Sequence, residues 1–195
     1  MLVYGYGRWD KIKEASKESA VQFDIKTPIA GLWTKTDAEV KAFANALVRA
    51  ICDNFTFERY ELKMFLLNII EEKTNDQYAP VSSKDWDLNL IRQRANPWGK
   101  RLQLLHRVQS FIKTFESYFF KKHGRLPENV FEYHNLLNFL SNYNLQGQRP
   151  CVWWTRNHDI DLVVGTFRYG YANYQQMKGC DQFGFNDLEK CKPSS

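Results

Sequence analysis

The residues of this chain whose types and spacing could do chemistry are His158, Asp159 and Asp161, which fall within one turn of a predicted helix. An imidazole and two carboxylates could bind a metal ion or exchange protons with a substrate. No second group of such residues accompanies them, and aspartates also suit the amino-terminal turn of a helix. We therefore expect neither a catalytic nor a metal site, and a nuclease resting on these three residues is the enzymatic alternative.

Other catalytic signatures are missing from the sequence. Cys52, Cys151, Cys180 and Cys191 form no C-x-x-C pair, which indicates neither a zinc site nor a disulfide framework and is typical of a reducing compartment. There is no phosphate-binding loop, dinucleotide fingerprint, G-x-S-x-G turn or H-E-x-x-H helix. We therefore expect no cofactor, no ATPase motor within this chain and, without a long apolar run, no membrane partner.

Positive charge is concentrated in the middle of the chain. The 195 residues carry 27 Lys and Arg against 22 Asp and Glu, and the whole excess lies in residues 84–125. Such a run could neutralise DNA phosphates without reading bases. The predicted nucleic-acid contacts are Arg92, Arg94, Lys100, Arg101, Arg107, Lys113, Lys121, Lys122 and Arg125. The alternative is that these cations form the solvated face of a helix that supports an apolar stripe.

The elements that must position these residues are helices, because apolar residues recur at three- and four-residue steps and almost no segment alternates with period two. The fold class is therefore all-α. Thr36 and Glu39 predict a capping box, Asn96-Pro97 predicts a break or kink, and Gly124 predicts a helix stop. The predicted helices cover 36–55, 58–72, about 85 to 96, 100–122 and 127–141, with linkers at 75–83 and 142–150.

The two ends of the chain form a degenerate repeat. Residues 4–13 align without gaps to residues 169–178, at an offset of 165. Each copy predicts a helix that ends at Tyr-Gly, a short turn and a new helix, and Thr155 is the predicted amino-terminal cap of the helix before the second turn. We expect the first copy to begin inside a module. The predicted core of the repeat is Tyr4, Gly5, Trp9, Ile12, Trp154, Tyr169, Gly170, Tyr174 and Met177.

The spacing from Trp154 to Tyr174 resembles the three-helix units of the Myb and SANT type. Two such units around a helical spacer resemble the SANT-SLIDE region of chromodomain-helicase-DNA-binding chromatin remodelers, especially their third subfamily. The stretches that carry this resemblance are 4–9, 36–40, 92–96 and 153–174. It implies a SANT-like unit at 1–57 with a truncated first helix, a basic helical spacer at 58–150, and a SLIDE-like unit at 151–195 in which a third helix is not evident.

The resemblance also implies a function. The chain would be a non-catalytic accessory region of a nuclear, ATP-dependent remodeler, with the motor upstream in a parent protein and with duplex DNA, the nucleosome and histones as partners. The alternative is a protein-interaction module that binds histone tails or another remodeler subunit. Because the basic residues would contact phosphates, we expect weak sequence specificity and a steep loss of affinity with salt.

Overall fold

The computed structural model describes residues 1–22, 31–55, 59–70, 87–135 and 150–184. Across these ranges the regular structure is helical and contains no strand, which confirms the all-α prediction. The helices are α1 (Trp9–Gln22), α2 (Asp37–Asp53), α3 (Tyr60–Ile70), α4 (Leu88–His123), α5 (Val130–Tyr133), α6 (Arg156–Tyr169) and α7 (Tyr174–Lys178), with a 3₁₀ turn at Leu32–Thr34. None of the described helices is long and apolar enough to cross a membrane.

The chain divides into two compact units, Met1–His106 and Arg107–Ser195. The boundary falls inside α4, so the basic segment predicted as a spacer contributes residues to both units. The division into a SANT-like unit, a spacer and a SLIDE-like unit therefore stays a prediction, and each compact unit is described by itself below. The predicted linkers at 75–83 and 142–150 lie outside the described residues, apart from Pro150.

In the first unit, α2 has the amino terminus that the sequence predicts. The backbone N–H of Glu39 donates to Thr36 Oγ1 at 3.2 Å, and the backbone N–H of Thr36 donates to Glu39 Oε2 at 2.8 Å. This reciprocal capping box satisfies two amides that have no partner within the helix. It confirms the predicted start of the helix, and the apolar face of α2 behind it is buried at Val40, Ala44 and Val48.

Of the break or kink predicted at Asn96-Pro97, the break is wrong, because α4 continues through Pro97. A proline in a helix interior costs about 3 kcal/mol, chiefly through a lost hydrogen bond and a clash. That cost is offset by packing, since Ala95 and Leu102 are buried against α2 and α3 and Trp98 packs beside them. Gly99 lets the Phe55 ring lie directly against α4, because a Cβ at this position would be 2.4 Å from that ring.

In the second unit, α4 ends where the sequence predicts. Gly124 follows the last helical residue with a φ of 71°, the left-handed conformation that glycine adopts without a steric cost. The next helix does not begin at Pro127 as predicted. Asn129 is its cap and accepts the backbone N–H of Glu132 at 3.1 Å, so α5 starts at Val130. An asparagine side chain can accept this bond, whereas Leu126, which would cap a helix that begins at Pro127, cannot; this explains the later start.

The core of the second unit joins α4, α5, α6 and α7. Its buried members are Ile112, Phe115, Phe119, Val130, Tyr133, Ile160, Val164, Met177 and Phe183. Met177 and Phe183 pack tightly against α6 at Gly165, since a Cβ at this position would be 3.1 Å from Met177 Sδ and 3.4 Å from Phe183 Cζ. The residues after α7 therefore complete this core through Phe183.

The two copies of the repeat share a backbone conformation. Gly5 and Gly170 have φ values of 89° and 95°, and the equivalent pair two residues later, Gly7 and Ala172, also has positive φ. The amide of Gly5 donates to the carbonyl of Met1 at 2.8 Å, and the amide of Gly170 donates to the equivalent Thr166 carbonyl at 3.0 Å. Trp9 and Tyr174 each begin a helix. The second copy therefore has the predicted helix end, turn and helix, whereas in the first copy residues 2–4 form a turn and no described helix precedes Gly5.

The side chains of the repeat are less alike than the backbone. Gly5, Ile12, Gly170 and Met177 are buried, and Tyr4, Trp9, Trp154 and Tyr169 are partly buried. The prediction of a core position is wrong for Tyr174, whose side chain is 54% exposed. The core space beside Met177 and Tyr169 is occupied by Phe183 instead, with the rings of Tyr169 and Phe183 6.1 Å apart.

Candidate nucleic-acid interface

The predicted cations of the first unit fall into two groups. Arg92, Arg94 and Lys100 are exposed on α4 and form no ion pair with any carboxylate in the described ranges. Arg101 is half-buried and interacts with another group of the protein. Arg92 and Lys100 lie about 80° apart around the helix, whereas Arg94 lies on another side. Arg92 and Lys100 are therefore the pair in this unit that could contact one DNA backbone.

The second unit contains a more compact set of cations. Arg107, Lys113, Lys121 and Lys122 are exposed, and none of them pairs with a carboxylate of a residue that the structure describes. At 3.6 residues per turn, Lys121 and Lys122 lie about 40° and 60° to either side of Arg107. These three residues therefore share one face of the helix, which we call the phosphate face. Lys113 lies about 120° away from Arg107.

Arg125 differs from the other predicted contacts because it forms ion pairs with carboxylates of the same unit. Its guanidinium forms two hydrogen bonds with the Glu132 carboxylate, donates to the Leu126 carbonyl at 3.1 Å and lies 3.7 Å from Glu128. The hydrogen bond from Arg125 lowers the pKa of Glu132 to about 2. Arg125 thus holds the turn after α4, and we leave it out of the phosphate face.

One acidic residue, Glu116, lies on α4 between Arg107 and His123. Its Oε1 accepts the hydroxyl of Tyr133 at 2.7 Å. Burial, together with this hydrogen bond, raises the pKa of Tyr133. The carboxylate is therefore engaged with α5, so the solvent side of this part of α4 is dominated by lysine and arginine.

The three residues that could have formed an enzymatic site each serve the local structure. Asp159 accepts the indole N–H of Trp154 at 2.7 Å. His158 Nδ1 accepts the backbone N–H of Thr155 at 2.8 Å, so Thr155 is the cap of α6 as predicted. Asp161 turns into the core of the second unit. Their polar atoms point to three different partners, and the described residues contain no group of three metal-ligating side chains.

Asp161 has a partner that sequence reasoning missed. Its side chain is 0% exposed; Oδ1 lies 2.7 Å from His134 Nε2, and Oδ2 accepts the backbone N–H of Gly184 at 2.8 Å. A buried carboxylate requires such partners, because desolvation without them is costly. The cluster connects the end of α5, the middle of α6 and the segment after α7. It is a structural tie within the second unit.

Comparison with known proteins adds no relative to this description. The chain matches no protein-family model, no curated protein and no solved structure.

Proposed function

We propose that this chain is a non-catalytic DNA-binding region that contacts duplex DNA mainly through the phosphate backbone. The observation that carries the proposal is the group of exposed cations on α4 without a carboxylate partner among the described residues. In the second unit these are Arg107, Lys121 and Lys122 on the phosphate face. Surface cations that are not paired within a protein are the groups that release counterions from DNA when they contact it.

The dimensions of the phosphate face suit a DNA backbone. Arg107 and Lys121 are 14 residues apart on one helix, which corresponds to about 21 Å. Over that length duplex DNA carries about 12 negative charges. Long lysine and arginine side chains can adapt to neighbouring phosphates without a fixed base register. These features favour affinity that depends on charge and little on sequence.

The wider role in the proposal rests on the resemblance to SANT-SLIDE regions. The two repeat copies support it, because each contains a turn with the same positive-φ positions and the same backbone hydrogen bond. In this role the chain would act in the nucleus beside a nucleosome, with histones nearby. An ATPase motor elsewhere in a parent protein would supply the energy for remodeling.

The test is a salt titration of DNA binding. Fluorescence anisotropy would measure the affinity of the chain for two labelled duplexes of unrelated sequence between about 50 and 200 mM salt. Alanine at both Arg107 and Lys122 should weaken binding to the two duplexes equally. It should also reduce the slope of log affinity against log salt by about 1.8, because each lost phosphate contact contributes about 0.9.

The matched control is alanine at Lys35 and Lys63, which removes the same charge from residues already paired with Glu39 and Asp53. This variant should keep the parent slope. The proposal is wrong if both variants lose the same affinity, if the slope does not change, or if one duplex binds far more tightly than the other. Binding of a histone-tail peptide without binding of DNA would favour the protein-interaction alternative.

A further inference from the structure

A second surface of the second unit combines apolar and positive groups. It is a groove of about 470 Å³ beside the carboxyl-terminal half of α4, lined by Lys113, Glu116, Ser117, Phe120, Lys121 and Leu126. Phe120 is 53% exposed and Leu126 is 56% exposed. Large apolar side chains that adjoin each other on a surface commonly mark a binding site. We call this surface the Phe120 groove.

The charge of the Phe120 groove is positive. Lys113 and Lys121 have no carboxylate partner among the described residues. The third ionisable group, Glu116, already accepts the Tyr133 hydroxyl at 2.7 Å. The groove therefore presents two lysines and one carboxylate that already accepts a hydrogen bond, beside the apolar side chains of Phe120 and Leu126. A ligand that complements it carries negative charge at two points and an apolar group.

The groove overlaps the phosphate face only at Lys121. Lys113, Ser117 and Phe120 lie about 80° to 140° around α4 from Arg107, and Lys121 is common to both surfaces. Duplex DNA could contact the lysines, but its backbone offers no apolar group for Phe120 and Leu126, and its paired bases are not available for stacking. A basic peptide would be repelled by the two lysines. Charge and apolarity together favour an acidic peptide with an apolar residue.

We propose that the Phe120 groove binds an acidic peptide segment of a partner protein, in which carboxylates flank one large apolar side chain. The apolar side chain packs against Phe120 and Leu126. The carboxylates on its two sides contact Lys113 and Lys121, which are about 12 Å apart along the helix. An extended peptide covers this distance in about four residues. This binding goes beyond DNA contact and does not depend on it.

The experiment uses the full chain and three labelled synthetic peptides of about 12 residues, long enough to span the two lysines. The first peptide has one phenylalanine between pairs of aspartates, the second has serine in place of phenylalanine, and the third has lysines in place of aspartates. Anisotropy should show binding of the first peptide only. Phe120→Ser and Lys113→Glu should each weaken this binding at least about tenfold, which corresponds to about 1.4 kcal/mol.

Two further variants keep the interpretation clear. Leu126→Ser should weaken the first peptide as Phe120→Ser does, whereas alanine at Arg107 and Lys122 should leave it unchanged. Both groove residues are more than half exposed, so thermal melting should show that the variants remain folded. The proposal is overturned if the serine peptide binds equally, if no peptide binds, or if Phe120→Ser retains full affinity. It is also overturned if Phe120→Ser weakens duplex DNA as much as the peptide, which would assign the groove to nucleic acid.

Discussion

Gly7 and Ala172 occupy equivalent positions of the repeat and share a left-handed backbone conformation, with φ values of 88° and 66°. Glycine adopts this conformation without a steric penalty, whereas a residue with a Cβ loses about 1 to 2 kcal/mol. The second copy therefore retains the turn geometry with a less suitable residue. The geometry of the turn is imposed by the helices on either side of it, and Ala172 adopts it under strain.

Exchanging the residue types at these positions should change stability in opposite directions. Ala172→Gly should raise the free energy of unfolding by about 0.5 to 1 kcal/mol, because relief of strain exceeds the added entropy of the unfolded chain. Gly7→Ala should lower it by about 1 kcal/mol; a Cβ there would meet nothing within 4 Å, so the cost arises from the backbone alone. Urea denaturation measures both changes, and shifts of the same sign would contradict this account.

Replacement of Asp161 by alanine should destabilise the protein severely. The change removes a fully buried carboxylate and leaves His134 and the Gly184 amide without their acceptor. Breaking such a buried pair costs about 3 to 5 kcal/mol. The control is Asp181→Ala at an exposed position, which should change the unfolding free energy by less than about 0.5 kcal/mol. Equal effects of the two changes on the urea midpoint would show that the buried cluster contributes no stability.

Cys52 should be protected from alkylation in the folded protein. Burial raises the pKa of its thiol to about 11, so almost no thiolate is present at about pH 8. Cys151 is half-buried and should react with iodoacetamide faster than Cys52. Peptide mapping by mass spectrometry would compare the two sites, with urea-unfolded protein as the control in which both react. Equal rates in the folded protein would be inconsistent with the packing of α2 against α3.

The Arg125–Glu132 pair should stabilise the protein over a defined range of pH. The pKa of Glu132 is lowered from 4.5 to about 2 in the folded state. The stabilisation that the ionised Glu132 carboxylate gives to the folded state is therefore fully present above about pH 4.5 and is lost as the pH falls towards 2. The stability difference between the parent and Glu132→Gln should be constant from neutral pH down to about 5 and should then decrease. Arg125→Ala should make that decrease smaller, with the Glu128 amide still bonded to the carboxylate. A difference that does not vary with pH would refute the assignment.

Local signals predicted much of the fold. The start of α2 follows from Thr36 and Glu39, and the end of α4 follows from Gly124, because these features depend on residues within one turn. The continuity of α4 through Pro97 could not be predicted in this way. It depends on packing of Ala95 and Leu102 against α2 and α3, which lie distant in sequence.

In the candidate site, too, some features follow from local sequence and others depend on tertiary contacts. The exposure of Arg107, Lys121 and Lys122 follows from the position of the apolar stripe on α4. The pairing of Arg125 with Glu132 depends on the path of the turn after Gly124, which periodicity does not specify. The contact between His134 and Asp161 joins residues 27 apart that share no pattern in the sequence. Contacts of this kind require tertiary structure.

The proline inside α4 gives the first unit a mechanical property. Pro97 has no amide hydrogen, so it cannot donate the usual helical hydrogen bond to the carbonyl four residues before it. Bending is least costly where a helix already lacks one of its internal bonds. A force applied to α4 should therefore bend the helix first between residues 93 and 97. The part of the helix from 107 to 123 contains no proline and should stay straight under the same force.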